Sequence, residues 1–418
     1  MANKISGIII SFVVVISMTS ISKAQQATGW RGKGQSGIYT ESSLPKVWPA
    51  GGPSLLWETE GIGTGFSSAT VTSDAIYITG KKDDNEHLSA FSPNGKKLWE
   101  KVYGKIGQSN YPDSRSTPTV FNNNIYVVSG QGDMVCISKD GKIIWSVNYY
   151  QKYGATPARF GISESPLVFD GKVIGTPGGT KATMVAFNAD NGQVIWETPS
   201  INEGTQYVNP LLIEEGGRKM IVTITAGHII GVNPADGKII WKFNYEAVND
   251  VQTGRRNHIN TPVYRDGCLV AANGYGQAAV KIRINWNGSE PELLWKNTDI
   301  TPHVGGMVLN GNHIYSSTHD NNSQGRWICV DWTTGKTSWI TPWYNKGSII
   351  SADGMLYLYE EKSGHVGLAK PDPAKLVVVS EFSITKGTGP YWAHPVIHQG
   401  RLFIRHGDYL AVFSLKQN

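Results

Sequence analysis

Near-copies of Asp236-Gly237-Lys238-Ile239-Ile240-Trp241 recur down the whole chain, and this repeat constrains the fold more than any other feature. Each copy reads as a strand, a tight turn carrying Asp-Gly or Asn-Gly, and a second strand ending in tryptophan. The glycine, and often the Asn or Asp before it, accepts the positive φ that hairpin turns require. The tryptophans fall at positions 57, 99, 145, 196, 241, 295 and 339, with Phe382 in the eighth place; successive gaps are 42, 46, 51, 45, 54, 44 and 43 residues. A period of 40–50 residues holding several short strands predicts a β-propeller with one blade per repeat.

One blade is legible in full: strands at 117–120, 125–128, 134–137 and 142–145. The two ends of the chain complement each other. Leu55-Leu56-Trp57-Glu58 has no preceding strands of its own, and the chain finishes on 402–404 and 410–413 without a fourth strand. Pairing the first strand with the last unit closes the ring, which removes the exposed edges an all-β protein must avoid. The expectation is an all-β, eight-bladed propeller of four antiparallel strands per blade, occupying residues 53–418 as one domain. The 48 glycines, 14 tryptophans and 17% charged residues suit turn-dense, aromatic-rich sheet, and no stretch shows helical periodicity.

Residues 1–24 differ in character. Lys4, the apolar run Ile8–Ile16 and Ser22-Lys23-Ala24 have the layout of a signal peptide, so the mature chain is expected to begin near Gln25 and to be periplasmic or secreted. The apolar run is short for a membrane span and no cysteine follows it, so no stable membrane anchor is expected. Losing Lys4 and Lys23 takes the formal charge from +5 to +3, and no run of five basic residues exists; nucleic acid is not an expected partner. Cys136, Cys268 and Cys329 read as small core residues, and no metal-ligand spacing stands out. Residues 25–52, Gly/Ser/Pro-rich and containing Trp30-Arg31-Gly32, read as an irregular but ordered lead-in that crosses the ring.

Naming the strands A to D from the axis outward, antiparallel order places the A–B and C–D turns on one face and the B–C and D–A loops on the other. The first set is short, so the second face is where a ligand is expected. Aligning the blades on Ser/Thr-Pro-x-Val and stepping back three residues gives Phe66, Arg115, Ser163, Tyr207, Ile259, His303, Lys346 and Trp392. Neighbouring positions add Glu164, His258, Asn260 and His394, and the B–C loops add His319, Asp320, Glu360 with Glu361, and Arg405-His406. Arg115 and Lys346 suit a ligand carboxylate, Trp392 a sugar face or planar ring, and Glu164 or His303 proton transfer. A solvated channel is the alternative.

Val330-Asp331-Trp332-Thr333-Thr334-Gly335-Lys336-Thr337-Ser338-Trp339, with 232–241 and 186–196, resembles the tryptophan-docking repeat of the pyrroloquinoline-quinone (PQQ) type propellers from about residue 53 onward. That family includes quinoprotein dehydrogenases, holding PQQ and Ca²⁺ in the funnel, and the lipoprotein propeller of the outer-membrane assembly machinery. The resemblance implies PQQ as candidate cofactor, with Ca²⁺ only if PQQ is bound, in a quinoprotein oxidising a sugar or alcohol during carbohydrate utilisation. The chain lacks the dehydrogenases' vicinal cysteine pair and the assembly subunit's lipidated cysteine. Two other readings stay open: a non-enzymatic envelope scaffold with a protein partner, and a lyase or hydrolase acting on a saccharide.

Overall fold

The computed structural model describes Met1, residues 27–248 and residues 257–416. The signal-peptide expectation and the arginines of the 249–258 loop, Arg255 and Arg256, lie outside the described residues. Eight sheets stand around a common axis, seven with a four-stranded core of consecutive antiparallel strands and the eighth completed from the other end of the chain. Blade 1 runs from Thr70 to Lys105, blade 2 from Thr119 to Asn148, blade 3 from Leu167 to Pro199 and blade 4 from Leu211 to Asn244. Blade 5 spans Val263 to Asn297, blade 6 Val308 to Thr341 and blade 7 Gly347 to Ser383. Blade 8 takes three strands from Val396–Ser414 and its outermost strand, Leu55–Thr59, from the other end of the chain. The propeller, its blade count and its closing strand are those the sequence predicts.

Local chemistry explains why each repeat folds alike. The A–B hairpins of blades 3, 5 and 7 turn on Asp170-Gly171, Asp266-Gly267 and Asp353-Gly354, with both residues at positive φ, as a type I′ turn demands. In seven blades the C–D pairing slips by one residue just before the repeat's tryptophan, a β-bulge that re-aims the side chain; in blade 7 the slip precedes Ser380, so Phe382, expected in the tryptophan's place, lies two residues beyond it. Trp196 thereby lies on the next blade's Gly237, where a Cβ would stand 2.5 Å from its ring. The indole N–H then donates into that blade: Trp57 to Pro93 O (3.1 Å), Trp99 to Lys139 O (2.7 Å), Trp145 to Ala189 O (2.9 Å), Trp196 to Pro234 O (3.0 Å), Trp295 to Trp332 O (3.1 Å) and Trp339 to Asp372 O (2.9 Å). Trp241 is the exception: its buried indole nitrogen has no partner among the described residues. Blade 5 explains this, because its C–D connection, centred on Asn287-Gly288, is longer and out of step with the others.

The residues just before the inner strands, three of them followed by proline, latch blades 1 to 4 together near the axis. The Ser68 amide donates to Thr117 Oγ1 (3.0 Å), Thr117 to Ser165 Oγ (3.0 Å) and Ser165 to Asn209 Oδ1 (2.6 Å). Inter-blade faces are apolar and fully buried, and they hold Cys136 and Cys329 as free thiols. One feature escapes the expectation of pure sheet: Asn148 caps a one-turn helix, Tyr149–Lys152, through Oδ1 and the Gln151 amide (2.8 Å). Among the described residues no helix is long and apolar enough to cross a membrane.

The lead-in runs through the axle of the ring. Thr28 pairs with Val120 on the inner strand of blade 2, Gln35 Nε2 donates to Pro210 O at blade 4 (2.9 Å), and Ile38–Tyr39 adds a parallel strand to the inner edge of blade 7. Midway along it, Arg31 is 2% exposed, and its guanidinium donates to Ile349 O (2.9 Å), Met307 O (2.5 Å), Ser36 O (3.3 Å) and His394 Nδ1 (2.9 Å). Gly306 permits this approach, since a Cβ there would sit 2.6 Å from Arg31 Nη1. Segment 28–39 therefore plugs the axial channel and leaves a blind cavity on each side, with Trp30 lining both.

Candidate functional site

The larger cavity, about 590 Å³, opens on the long-loop face. Seven of the eight side chains at the aligned position converge on it: Phe66, Arg115, Ser163, Tyr207, Ile259, His303 and Trp392. The eighth, Lys346, lies just behind the wall. This convergence follows from propeller symmetry, because equivalent residues of every blade meet at the axis. Trp30 and His394 sit at the base, and the B–C loops supply Tyr275, Asn322 and Glu361.

The densest polar group links three blades. His303 Nδ1 lies 3.1 Å from Glu361 Oε2, and its Nε2 3.1 Å from the Tyr275 hydroxyl. The other Glu361 oxygen is 3.3 Å from Lys346 Nζ, a fully buried ammonium that also donates to Asn321 O (2.7 Å) and Gln324 O (3.1 Å). Burial raises the Glu361 pKa, but His303 and Lys346 together outweigh it and hold the carboxyl below its ordinary range. His319 stacks on His303, centroids 4.6 Å apart, and Trp392 meets the His303 ring edge-on at 5.7 Å. Burial, helped by His303 and Lys346, lowers the His319 pKa to about 4, so this ring is neutral; it backs the His303 ring and, contrary to expectation, does not itself line the cavity. Asn260, buried, reaches across from blade 5 and donates to Pro302 O (3.1 Å) and His303 O (3.0 Å), while the Gly306 amide donates to its Oδ1 (3.0 Å). It positions the His303 loop without facing the cavity.

Arg115 lines the cavity, yet its guanidinium is engaged with Phe160 O, Tyr111 O (2.5 Å) and Ser109 Oγ (3.4 Å). His394 accepts from Arg31 at Nδ1 and donates from Nε2 to Val304 O (2.8 Å); burial, then Arg31, depresses its pKa to about 3. Besides Asn260, His319 and Lys346, four more residues expected at the site point elsewhere. Glu164 is turned into the body of the ring, because strand alternation hands the cavity to Ser163 and Ser165 on either side. There it accepts from the Tyr149 hydroxyl (3.0 Å) and the Thr176 amide (3.0 Å), and burial pushes its pKa to about 7. Asp320 is paired with Arg326 (2.8 Å) and not with His319. Glu360 holds a turn by accepting from the Lys362 and Ser363 amides (2.8 and 2.6 Å), leaving Glu361 to face the axis. His258 is buried against Tyr245, its ring near Ala226 O (3.4 Å). Likewise Arg405 is spent on Gly407 O, Ser67 and Gly63 O, away from any ligand.

Sequence reasoning missed Tyr275 and Arg159 as parts of this cavity, and Arg31 as the buried cation of the plug beneath it. Tyr275 sits at φ +65° within Asn273-Gly274-Tyr275-Gly276, a B–C loop longer than its blade 2 counterpart Ser129-Gly130-Gln131-Gly132. A large residue between two glycines was the one available signal.

Comparison with known proteins places this geometry. A family profile described as outer membrane protein assembly factor BamB matches residues 84–341. BamB of Shewanella oneidensis is 20% identical over 44% of this chain and 45% of its own length. The quinoprotein alcohol dehydrogenase PedH of Pseudomonas putida is 25% identical over 32% of this chain and 22% of its own. The chain thus spans less than half the length of these curated relatives. Among solved structures, BamB from Moraxella catarrhalis aligns with TM-score 0.62 at 13% identity, covering 87% of this chain and 99% of that one. The quinohemoprotein alcohol dehydrogenase of Comamonas testosteroni aligns with TM-score 0.66 at 11% identity, covering 94% and 81%. At such identities the likeness of structure carries the fold alone, but the profile spans well over half of the sequence: the chain belongs to the PQQ-like propeller family that includes BamB.

Proposed function

We propose that this is an exported propeller that binds a small, hydroxyl-rich and anionic ligand, a sugar acid or short acidic saccharide, in its plugged funnel. The observation that supports this most is the convergence of seven equivalent blade positions on one blind cavity floored by Trp30. Its walls are aromatic faces (Phe66, Tyr207, Trp392) broken by a few fixed polar groups, the makeup of small-ligand sites generally, and indole or phenol faces suit the C–H face of a pyranose. Arg159, stacked on Phe160 (5.4 Å), brings a cation to the same cavity. Export is supported by the leader-like first 24 residues and by relatives named as outer-membrane assembly factors.

The calcium-bound quinone fits less well. Its carboxylates would need free cationic donors, whereas Arg115 and Lys346 are spent on backbone carbonyls and Glu361. Among the described residues no group of three His, Cys, Asp or Glu side chains could hold a metal ion. No step is routed through that cofactor.

Titration calorimetry with galacturonate, glucuronate, neutral hexoses, and PQQ with and without Ca²⁺ tests the proposal. Saturable binding of the acidic sugars, lost in Trp392→Ala, is expected; silence toward every sugar overturns it.

A second reading, a scaffold for an envelope protein, is favoured by a different observation. The residue before the docking tryptophan is an exposed aliphatic in four consecutive blades: Leu56, Leu98, Ile144 and Ile195, each 43–50% exposed. Such a row on outer-strand edges suits a protein partner. If that reading holds, Leu98→Asp with Ile144→Asp abolishes co-purification with outer-membrane assembly components while sugar binding is untouched.

A further inference from the structure

Resting on the ligand reading above, we infer that Glu361, His303 and Tyr275 form a proton relay, and that it catalyses β-elimination on a uronate held in the funnel. The three residues come from different blades, and their order is fixed by chemistry. Glu361 is kept ionised by Lys346, so it accepts from His303 Nδ1–H (3.1 Å). That bond selects the tautomer whose Nε2 is a lone pair, and this lone pair faces the Tyr275 hydroxyl at 3.1 Å. The imidazole plane is pinned between the His319 face (4.6 Å) and the Trp392 edge (5.7 Å), and Tyr275 itself packs on His319 at 4.6 Å. Tyr275, His303 and Glu361 all line the cavity. The phenol is held there by a backbone at φ +65°, an arrangement that costs free energy and is accepted where a side chain must be aimed.

Such a relay makes Tyr275 a base toward the ligand. Its phenolic proton moves to His303 Nε2, and Glu361 stabilises the imidazolium. The phenolate oxygen takes the proton on C5, the carbon α to the sugar carboxylate, whose negative charge Arg159, lining the same cavity, offsets. The C5–H electron pair becomes the C4=C5 π bond as the C4–O4 bond breaks, and the departing O4 takes up the proton. The products are a 4,5-unsaturated uronate and a free hydroxyl, with no oxidant, reductant or water consumed. Hydrolysis is disfavoured because it calls for two opposed carboxylates, and Glu361 is the one carboxylate lining this cavity among the described residues.

The test uses the mature full-length chain with oligomers of galacturonate, glucuronate, mannuronate and guluronate. Near-ultraviolet absorbance reads the conjugated double bond, and calorimetry reads binding in parallel. The expectation is turnover on at least one uronate, with Tyr275→Phe lowering kcat by about 10²–10⁴-fold at unchanged affinity. Glu361→Gln, which keeps the packing, lowers kcat without raising KM, as a positioning residue should. Binding of uronates without unsaturated product overturns the relay and leaves the ligand reading standing. Turnover undiminished in Tyr275→Phe also overturns the assignment, and absence of any sugar binding overturns both.

Discussion

Arg31 shows how a single side chain organises the axle. It is a buried cation whose acceptors are carbonyls of blades 6 and 7 and the His394 imidazole, and burial brings its pKa down to about 10. Arg31→Ala strands several of these acceptors, so it should cost about 3 kcal/mol in urea unfolding and weaken any funnel ligand with it. His394 must stay neutral to accept from Arg31. Its folded pKa of about 3 lies below the ordinary 6.5, so its contribution is complete above pH 6.5 and is lost as pH falls toward 3. Glu164 has the opposite sign. Raised to about 7 from the ordinary 4.5, it contributes fully below pH 4.5 and loses that contribution as pH rises through 7. Urea midpoints should therefore fall on both sides of a weakly acidic optimum. Glu164→Gln should flatten the alkaline limb in part, with Glu86, pushed by burial to about 7, supplying the remainder. Sequence could name Glu164 as a carboxylate near the axis but not its direction, because a one-residue step along a strand exchanges the cavity for the interior. Glu360 and Glu361 reverse roles for the same reason.

At the level of the blade, the repeat was legible because one contact recurs: an indole on the next blade's turn glycine, with its N–H on that blade's carbonyl. The sequence spacing revealed this pattern down to the closing strand. What spacing could not reveal is the single lapse at Trp241, whose neighbour's turn is out of register. Trp196→Phe should therefore cost about 1 kcal/mol more than Trp241→Phe, since only the former gives up a buried hydrogen bond, to Pro234 O. Paired chemical denaturation curves decide this, and equal costs would refute the account of the docking contact. The cavity's loops were less legible than its strands. The aligned position before each inner strand follows ring symmetry, whereas Tyr275 lies on a B–C loop whose length varies from blade to blade and the lead-in occurs once, so stepping back a fixed distance from each inner strand could not find them.

Across the whole molecule, two segments from one end of the chain perform separate tasks. Leu55–Thr59 zips the ring, and residues 28–39 stop its bore. Deleting residues 25–40 should thus leave a closed propeller, read by far-UV dichroism, that unfolds earlier and no longer retains a funnel ligand. Deleting residues 53–60 should instead give aggregation, because blade 8 is left with a bare edge. The zip also has a consequence for biogenesis. Its mate, the strand Tyr409–Ser414, follows all seven other blades in chain order, so a polypeptide made only as far as blade 7 has no partner strand with which to lock the ring. Closure of the ring is thus the latest long-range step of folding, held back until segments more than 350 residues apart have met.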